Sequence, residues 1–323
     1  MFKDARDHQI LFLSTFLVLG ISTRDWTLKP ELMLVAILSC LLTQWLFAVV
    51  QPYFQQNRQI PSLFTPFSSH QLSSGVGTFY KTSVQSSRFK PFPRHPVAAF
   101  LANAKNFPIS SLRSALITGL GLCLLLRANN WQTMALAGCL AIASKFLFRY
   151  REKHFFNPAN FGIIASLIFT QDAWVSPGQW GTDWWYLLLF AGAGGIVLQK
   201  VGRWDTSATF LATYAGLEAL RTLWLGQGWD VYVHHLMSGS LLLFALFMLT
   251  DPRSMPNARI GRGIWAIAIA WVAFILQHQF YLTTAIFWAL FAISPLTVVL
   301  DELWHSERFT WNVKTLPKLP QLQ

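Results

Sequence analysis

The chain has 323 residues, 53% of them hydrophobic and only 12% charged, with a mean hydropathy of +0.39. Those values exclude an ordinary soluble domain and place the chain among polytopic membrane proteins. A formal charge of +11 would suggest nucleic acid as the partner of a soluble protein, but basic residues gathered on one side of a bilayer account for it, and no nucleic-acid partner is expected.

In chain order, apolar runs occupy 10–21, 32–50, 116–126, 134–147, 161–169, 184–198, 208–225, 236–249, 264–276 and 280–300. They predict an all-α polytopic membrane protein with about ten transmembrane helices, embedded in membrane lipid. Several runs fall short of the ~20 residues a straight span needs, so polar ends packed inside protein, or broken helices lining a site, are expected. The first run meets Ser22, Thr23, Arg24 and Asp25 with no small-residue cleavage site and reads as a retained span. Residues 51–112 are polar, rich in Ser, Pro and Gln, and read as a cytoplasmic loop with short surface helices inside one membrane domain, 1–300. Residues 301–323, ending LPKLPQLQ, read as a cytoplasmic tail.

With Lys3 and Arg6 at a cytoplasmic N-terminus, the even-numbered connections carry the basic residues of 58–113, 149–153, 200–203 and 253–262, and the tail adds Arg308, Lys314 and Lys318. The odd connections hold only Arg24, Lys29 and Arg127. This asymmetry predicts a multi-pass protein of the inner (plasma) membrane with both termini cytoplasmic. Cys40, Cys123 and Cys139 all lie in apolar runs without CxxC spacing, so buried small hydrophobes are expected rather than metal or disulfide sites. Trp174, Trp180, Trp184 and Trp185 cluster at the ends of runs as an interfacial belt.

An internal echo links two runs. Leu116-Ile117-Thr118-Gly119-Leu120 opens the third and Leu236-Met237-Ser238-Gly239-Ser240 the eighth, the same place in two five-span halves entered from opposite sides. Inverted repeats have this signature and bind their ligand near the repeat interface, which makes Gly119 and Gly239 expected points of close backbone approach beside a cofactor.

Three polar signatures flank the runs: KHFFNPANFG at 153–162, DTSAT at 205–209 and TDPRSMP at 250–256. In the first, Asn157-Pro158 suits a helix start, with Asn157 as cap and proline in the first turn. In the third, Asp251-Pro252 suits the end of a span, because the residue before proline is steered out of the helical region. Each has a purely structural reading. Taken in order, SALITG (114–119), HFFNPANFG (154–162), the T-S-A-T box (206–209) and FMLTDPRSMP (247–256) resemble the membrane subunit family of RnfD and NqrB, from the Rnf complex and the sodium-translocating NADH:quinone reductase.

That resemblance implies ten helices in two inverted five-helix halves, and a membrane electron-transfer protein that holds flavin. In the family a threonine ending an S/T-G/S-A-T box carries FMN through a phosphoester made by a separate flavin transferase. Carried over, Thr206, Ser207, Ala208 and Thr209 form the box and Thr209 holds the FMN, with Arg203 and Lys200 as counter-charges. The implied cofactor set also includes a second, non-covalent flavin, and the implied partners are the transferase and a redox protein or quinone. One departure stands out: the family sets an acid three places before the box, where this chain has Arg203, while Asp205 directly precedes Thr206. The structural reading of the same residues is a helix start capped by Asp205 or Thr206.

Two alternatives remain open. His234, His235 and His278 fall at the non-cytoplasmic ends of the eighth and ninth runs, where two of them would ligate a haem. A solute channel or transporter on the same scaffold would need no redox cofactor. Gly192-Ala193-Gly194-Gly195 lies inside an apolar run rather than after a strand, so the chain shows no NADH fingerprint of its own.

Overall fold

A computed structural model describes residues 4–23, 29–57, 96–105, 107–151, 153–176 and 184–310. The chain divides into two compact units, 45–108 and the larger unit 1–44 with 109–323. The smaller contains the C-terminal part of α2 (Pro30–Asn57) and α3 (Pro96–Lys105), where Trp45 meets Phe100 edge-on and Asn103 Nδ2 donates to the Val49 carbonyl. Most of the expected cytoplasmic loop, together with Trp180 and the tail beyond 310, lies outside the described residues.

The larger unit is helical. It holds α1 (Ala5–Thr23), the first part of α2, a 3-10 turn (Ile109–Ser111), α4 (Leu112–Leu125), α5 (Trp131–Leu147), α6 (Pro158–Phe169), α7 (Trp184–Val201) and α8 (Trp204–Trp224). It continues through α9 (Trp229–Leu236), α10 (Gly239–Leu243) running into a π turn (Phe244–Met248), α11 (Arg259–His278), α12 (Ala285–Ile293) and α13 (Leu296–Leu303). Two small antiparallel ribbons pair β1 (Leu126–Ala128) with β4 (Ala173–Val175) and β2 (Arg149–Tyr150) with β3 (Lys153–His154).

Each apolar run falls on a helix or a bent helix pair, so the chain is mostly helical as its pattern predicts. By length and composition Pro30–Val50 and α11 are able to cross a membrane, and the count rises to four if each bent pair is one span: α9 with α10 and its π turn (48°), and α12 with α13 (47°). The other runs form shorter or more polar helices, so straight spans do not supply the expected ten among the described residues. The exposed face of α2 is nonetheless built for lipid. Leu34, Leu38, Leu42 and Leu46, one turn apart, are all exposed, a stripe that water would penalise and hydrocarbon would not.

Small residues set the helix spacing inside the unit. A Cβ on Gly162 of α6 would sit 2.6 Å from the Ala137 carbonyl and 2.8 Å from Ala141 Cβ, both on α5. One on Gly138 of α5 would collide with Ser39 on α2, and one on Gly119 would sit 3.1 Å from Ile37 Cα. This is the close approach by which helices associate in lipid, where apolar burial alone gives no preference for protein over tails. Gly119 therefore lies mid-way along α4 against α2, whereas Gly239 is the first residue of α10 after its cap Ser238, so the two glycines of the echo occupy different helical positions.

Two sequence expectations change. Arg127 is buried, and its guanidinium donates to the carbonyls of Cys123 and Leu126, each at 2.9 Å, so it caps the end of α4 instead of standing in a loop. Cys40 and Cys123 are buried, but Cys139 is exposed, on a face of α5 that the apolar pattern alone did not distinguish from the packed one. Of the expected tryptophan belt, Trp174 is exposed on β4.

Candidate functional site

The T-S-A-T box sits in the first two turns of α8. Gly202, with φ +70°, ends α7 by donating its amide to the Leu198 carbonyl at 2.8 Å, a left-handed stop that glycine adopts without strain. The chain then turns through Arg203 into α8 with no side-chain cap. The expected capping by Asp205 or Thr206 is therefore absent, because both already lie inside the helix and their side chains are used elsewhere. Thr206 and Ser207 are buried: Thr206 Oγ1 donates to Met255 Sδ at 3.6 Å and Ser207 Oγ to the Ala245 carbonyl at 2.5 Å. Ala208 is exposed and Thr209 half-buried, and among the described residues the Thr209 hydroxyl makes no hydrogen bond.

Asp205 faces a second helix start. Arg262 of α11 donates to it through NH2 at 2.6 Å and Nε at 3.1 Å, and Arg259 Nε lies 3.7 Å away with its side chain 76% exposed. Two arginines in the first turn of α11 oppose the positive end of that helix, whereas Asp205 in the first turn of α8 is on the favourable end and satisfies both needs. Two helix N-termini thus converge around one carboxylate. Arg203, expected as a free counter-charge, instead donates through NH1 to the Asn257 carbonyl at 2.8 Å, which also accepts from Arg262 NH1 at 2.6 Å, and its guanidinium stands 5.9 Å from the Phe309 ring centre. Burial pushes the Arg203 pKa down against the pull of Asp205 and Asp301. Lys200 is exposed near the end of α7.

The loop after the π turn is held from beneath. Lys153 Nζ donates to the Met255 carbonyl at 2.5 Å and pairs with Asp301 at 2.7 Å, and Asp301 in turn accepts the Asn257 amide at 2.7 Å. Arg262, Asn257, Lys153 and Asp301 were not singled out by sequence. The available signal was Arg262, a charge just before the apolar run 264–276, which has to find a carboxylate when the start of that helix is buried.

The other two polar signatures meet each other. Asn157 caps α6 by accepting the Asn160 amide at 3.1 Å, as its position before proline predicts, and its Nδ2 donates to the Met248 carbonyl at 2.9 Å. His154 Nε2 is buried 3.5 Å from Asp251 Oδ2 and has no hydrogen-bond partner among the described residues. Burial lowers the His154 pKa despite Asp251. Burial pushes the Asp251 carboxyl up, but His154, the Arg253 amide and Lys145 outweigh it and hold it below the usual carboxylate range. So Ser207 from α8 and Asn157 from α6 both bond carbonyls of the same π turn, a wide turn often found at functional sites.

Beside that turn a cavity of about 80 Å3 opens between α1, α4, the start of α6 and the π turn. Its polar lining includes Arg6, Gln9, Ser114, Asn157 and Asp251, and its apolar lining includes Leu13, Ile117 and Phe247. The sequence-predicted residues therefore fall into two groups: Arg203, Asp205, Thr206, Ser207 and Thr209 on α8, and Asn157 and Asp251 at the cavity. Gly119 and Gly239 belong to neither lining.

Comparison with known proteins matches residues 170–310 to the model of the NQR2, RnfD, RnfE family. The chain is 28% identical over 131 residues to the D subunit of the ion-translocating oxidoreductase complex of Stutzerimonas stutzeri, covering 41% of this chain and 37% of that protein. It is 30% identical over 117 residues to the protein of the same name from Halorhodospira halophila (36% and 32%), and 29% over 118 residues to that of Vibrio vulnificus (36% and 33%). The matches span about a third of the length of these relatives. The matched segment holds the box and its Asp205–Arg262 anchor but neither SALITG nor the NPANFG start of α6. Through residues 170–310, the chain is similar to the NQR2, RnfD, RnfE family.

Proposed function

We propose that the chain is a flavin-carrying subunit of a membrane electron-transfer complex, with FMN joined through its phosphate to Thr209. The observation that carries this reading is the division of labour within the box. Thr206 and Ser207 spend their hydroxyls on Met255 and Ala245, while the half-buried Thr209 keeps its own. A hydroxyl that is to bond phosphorus has to lose its proton and approach the phosphate, and a buried hydroxyl committed to a carbonyl does neither without leaving a partner unsatisfied. Asp205 and Thr209 are one turn apart on the same face of α8, so the arginines gathered at Asp205 stand on the side a Thr209-borne phosphate would occupy, with the exposed Arg259 the freest to pair with it. The start of α8 adds the positive end of its dipole.

At about 80 Å3 the cavity beside the π turn is smaller than the roughly 300 Å3 of a ligand pocket, so a second, non-covalent flavin there requires its walls to part, with Asn157, Asp251 and Arg6 then placed to orient the polar edge of the ring. The relatives are named as subunits of an ion-translocating oxidoreductase complex. By extension this chain passes electrons across or along the membrane to a redox protein or quinone, and a flavin transferase loads it. The displaced acid is the point at issue for loading, since Arg203 stands where the family has an acid and Asp205 is already paired with Arg262.

Co-expressed with a flavin transferase and denatured on a gel, the chain is expected to fluoresce, with the signal lost in Thr209→Ala and kept in Thr213→Ala. Flavin released on denaturation would limit the chain to non-covalent binding. A colourless native protein would instead favour a solute pathway on the same scaffold.

A further inference from the structure

At the far end of α8 from the box, three side chains from three helices meet. Glu218 of α8 is 1% exposed; His278, the last residue of α11, approaches its Oε1 through Nε2 at 2.7 Å, and His235 of α9 approaches its Oε2 through Nδ1 at 3.2 Å. Their ligand atoms all lie within 4.8 Å of one another. Thr209 and Glu218 are nine residues apart, ~14 Å along the helix axis, so this cluster is separate from the box and its arginines.

We propose that Glu218, His235 and His278 bind a divalent first-row transition metal ion. Two imidazole nitrogens and one carboxylate oxygen are a borderline-hard donor set that suits zinc or ferrous iron, and would hold either at about 2.0–2.2 Å. Neither lysine nor arginine pairs with Glu218 among the described residues, so the buried carboxylate depends on the two imidazoles for its positive counterpart. A second feature points the same way: His235 and His278 lie in the last turns of α9 and α11, where unpaired carbonyls favour a cation. The donors are held in place. His278 packs on Phe274 at 4.6 Å and faces His235 at 6.2 Å with the rings nearly parallel, and the neighbouring Gln277 is tied by the Tyr214 hydroxyl at 2.7 Å. His235 remains 29% exposed, which leaves one side of the site open for entry and for a water as fourth ligand.

The arrangement favours a small ion over a haem. An iron porphyrin has to pass between two axial histidines, and here the Glu218 carboxylate already spans them.

The test uses the full-length protein in detergent, stripped with chelator and reloaded with Co2+. The expected result is about one cobalt per chain with visible bands of a low-coordinate site, and His278→Ala or Glu218→Gln weakening retention at least about tenfold, the loss that removing even an outer partner brings. His234→Ala, the exposed neighbour, is expected to retain the metal. Zn2+ added to the unaltered protein should protect His235 and His278, but not His234, from diethyl pyrocarbonate, which gives an answer even where a variant fails to fold. Stoichiometric binding that survives both His278→Ala and Glu218→Gln, only trace cobalt on the unaltered protein, or equal modification with and without zinc overturns the proposal. Flavin content is independent of each outcome.

Discussion

Asp205 carries two roles at once: it stands beside the box as an acid and it neutralises the start of α11. Its side chain is 14% exposed and that of Arg262 8%. Removing one member of so enclosed a pair leaves the other without compensation, so Asp205→Asn should destabilise the protein by about 3–5 kcal/mol. Thermal unfolding in detergent measures this, and adding Arg262→Met to Asp205→Asn should recover part of the loss; equal midpoints for the single and double variants would show that the pair is not coupled. His154 makes a pH-dependent contribution. Its pKa is lowered in the folded state, so the unfolded chain takes the proton first, and stability present above about 6.5 declines as pH falls below that value. Asp251, lowered in its turn, contributes stability above about 3.9 that is lost only as pH falls through its folded value, outside this window. The unfolding midpoint should therefore drop between pH 7.5 and 5.5, and His154→Asn should flatten that slope. A slope unchanged in the variant assigns it to another group.

Among the elements, the π turn 244–248 is the meeting point. It continues α10 as a wider last turn, turns carbonyls toward Ser207 and Asn157, and lines the cavity through Phe247 and Met248. The helix pairs around it are set by small residues. Gly162→Ala puts a methyl against the Ala137 carbonyl and Ala141, and should cost about 1–3 kcal/mol as an overpacked contact. Gly192→Ala on α7 meets nothing within 4 Å and should be neutral or slightly stabilising through helix propensity. Folded yield by fluorescence-detected size exclusion separates the two, and equal yields would mean that α5 and α6 have room to part.

For the whole molecule, the distribution of basic groups orders the ends. The box, the loop 251–258 and the Lys153–Asp301 pair share one end of the larger unit. The positive-inside rule predicts that the basic end faces the cytoplasm. Reporter fusions within 251–258 should read cytoplasmic and fusions at 171–176 external; the reverse pattern would mean that the T-S-A-T box and the proposed flavin attachment face the other compartment.

Hydropathy alone determined that this is a helical membrane chain, because runs of apolar residues are legible without knowing what they touch, and local chemistry alone determined the Asn157-Pro158 start of α6, because a cap and its amide are three residues apart. The resemblance was legible from short motifs in order, and the matched region 170–310 agrees with it for the T-S-A-T box and FMLTDPRSMP. What the T-S-A-T box does with its hydroxyls was not legible. The partners of Thr206, Ser207 and Asp205 are Met255, the Ala245 carbonyl and Arg262, all on other elements, and nothing local to α8 distinguishes the occupied hydroxyls from the one on Thr209. Likewise His235 and His278 stood out only as histidines near the ends of runs, and the pairing with Glu218 came from the packing of α11 on α8 and the turn of α9 back along it. Periodicity shows which face of a helix is buried, but which residue of another helix it is buried against depends on crossing and register, and those are decided only when the helices pack.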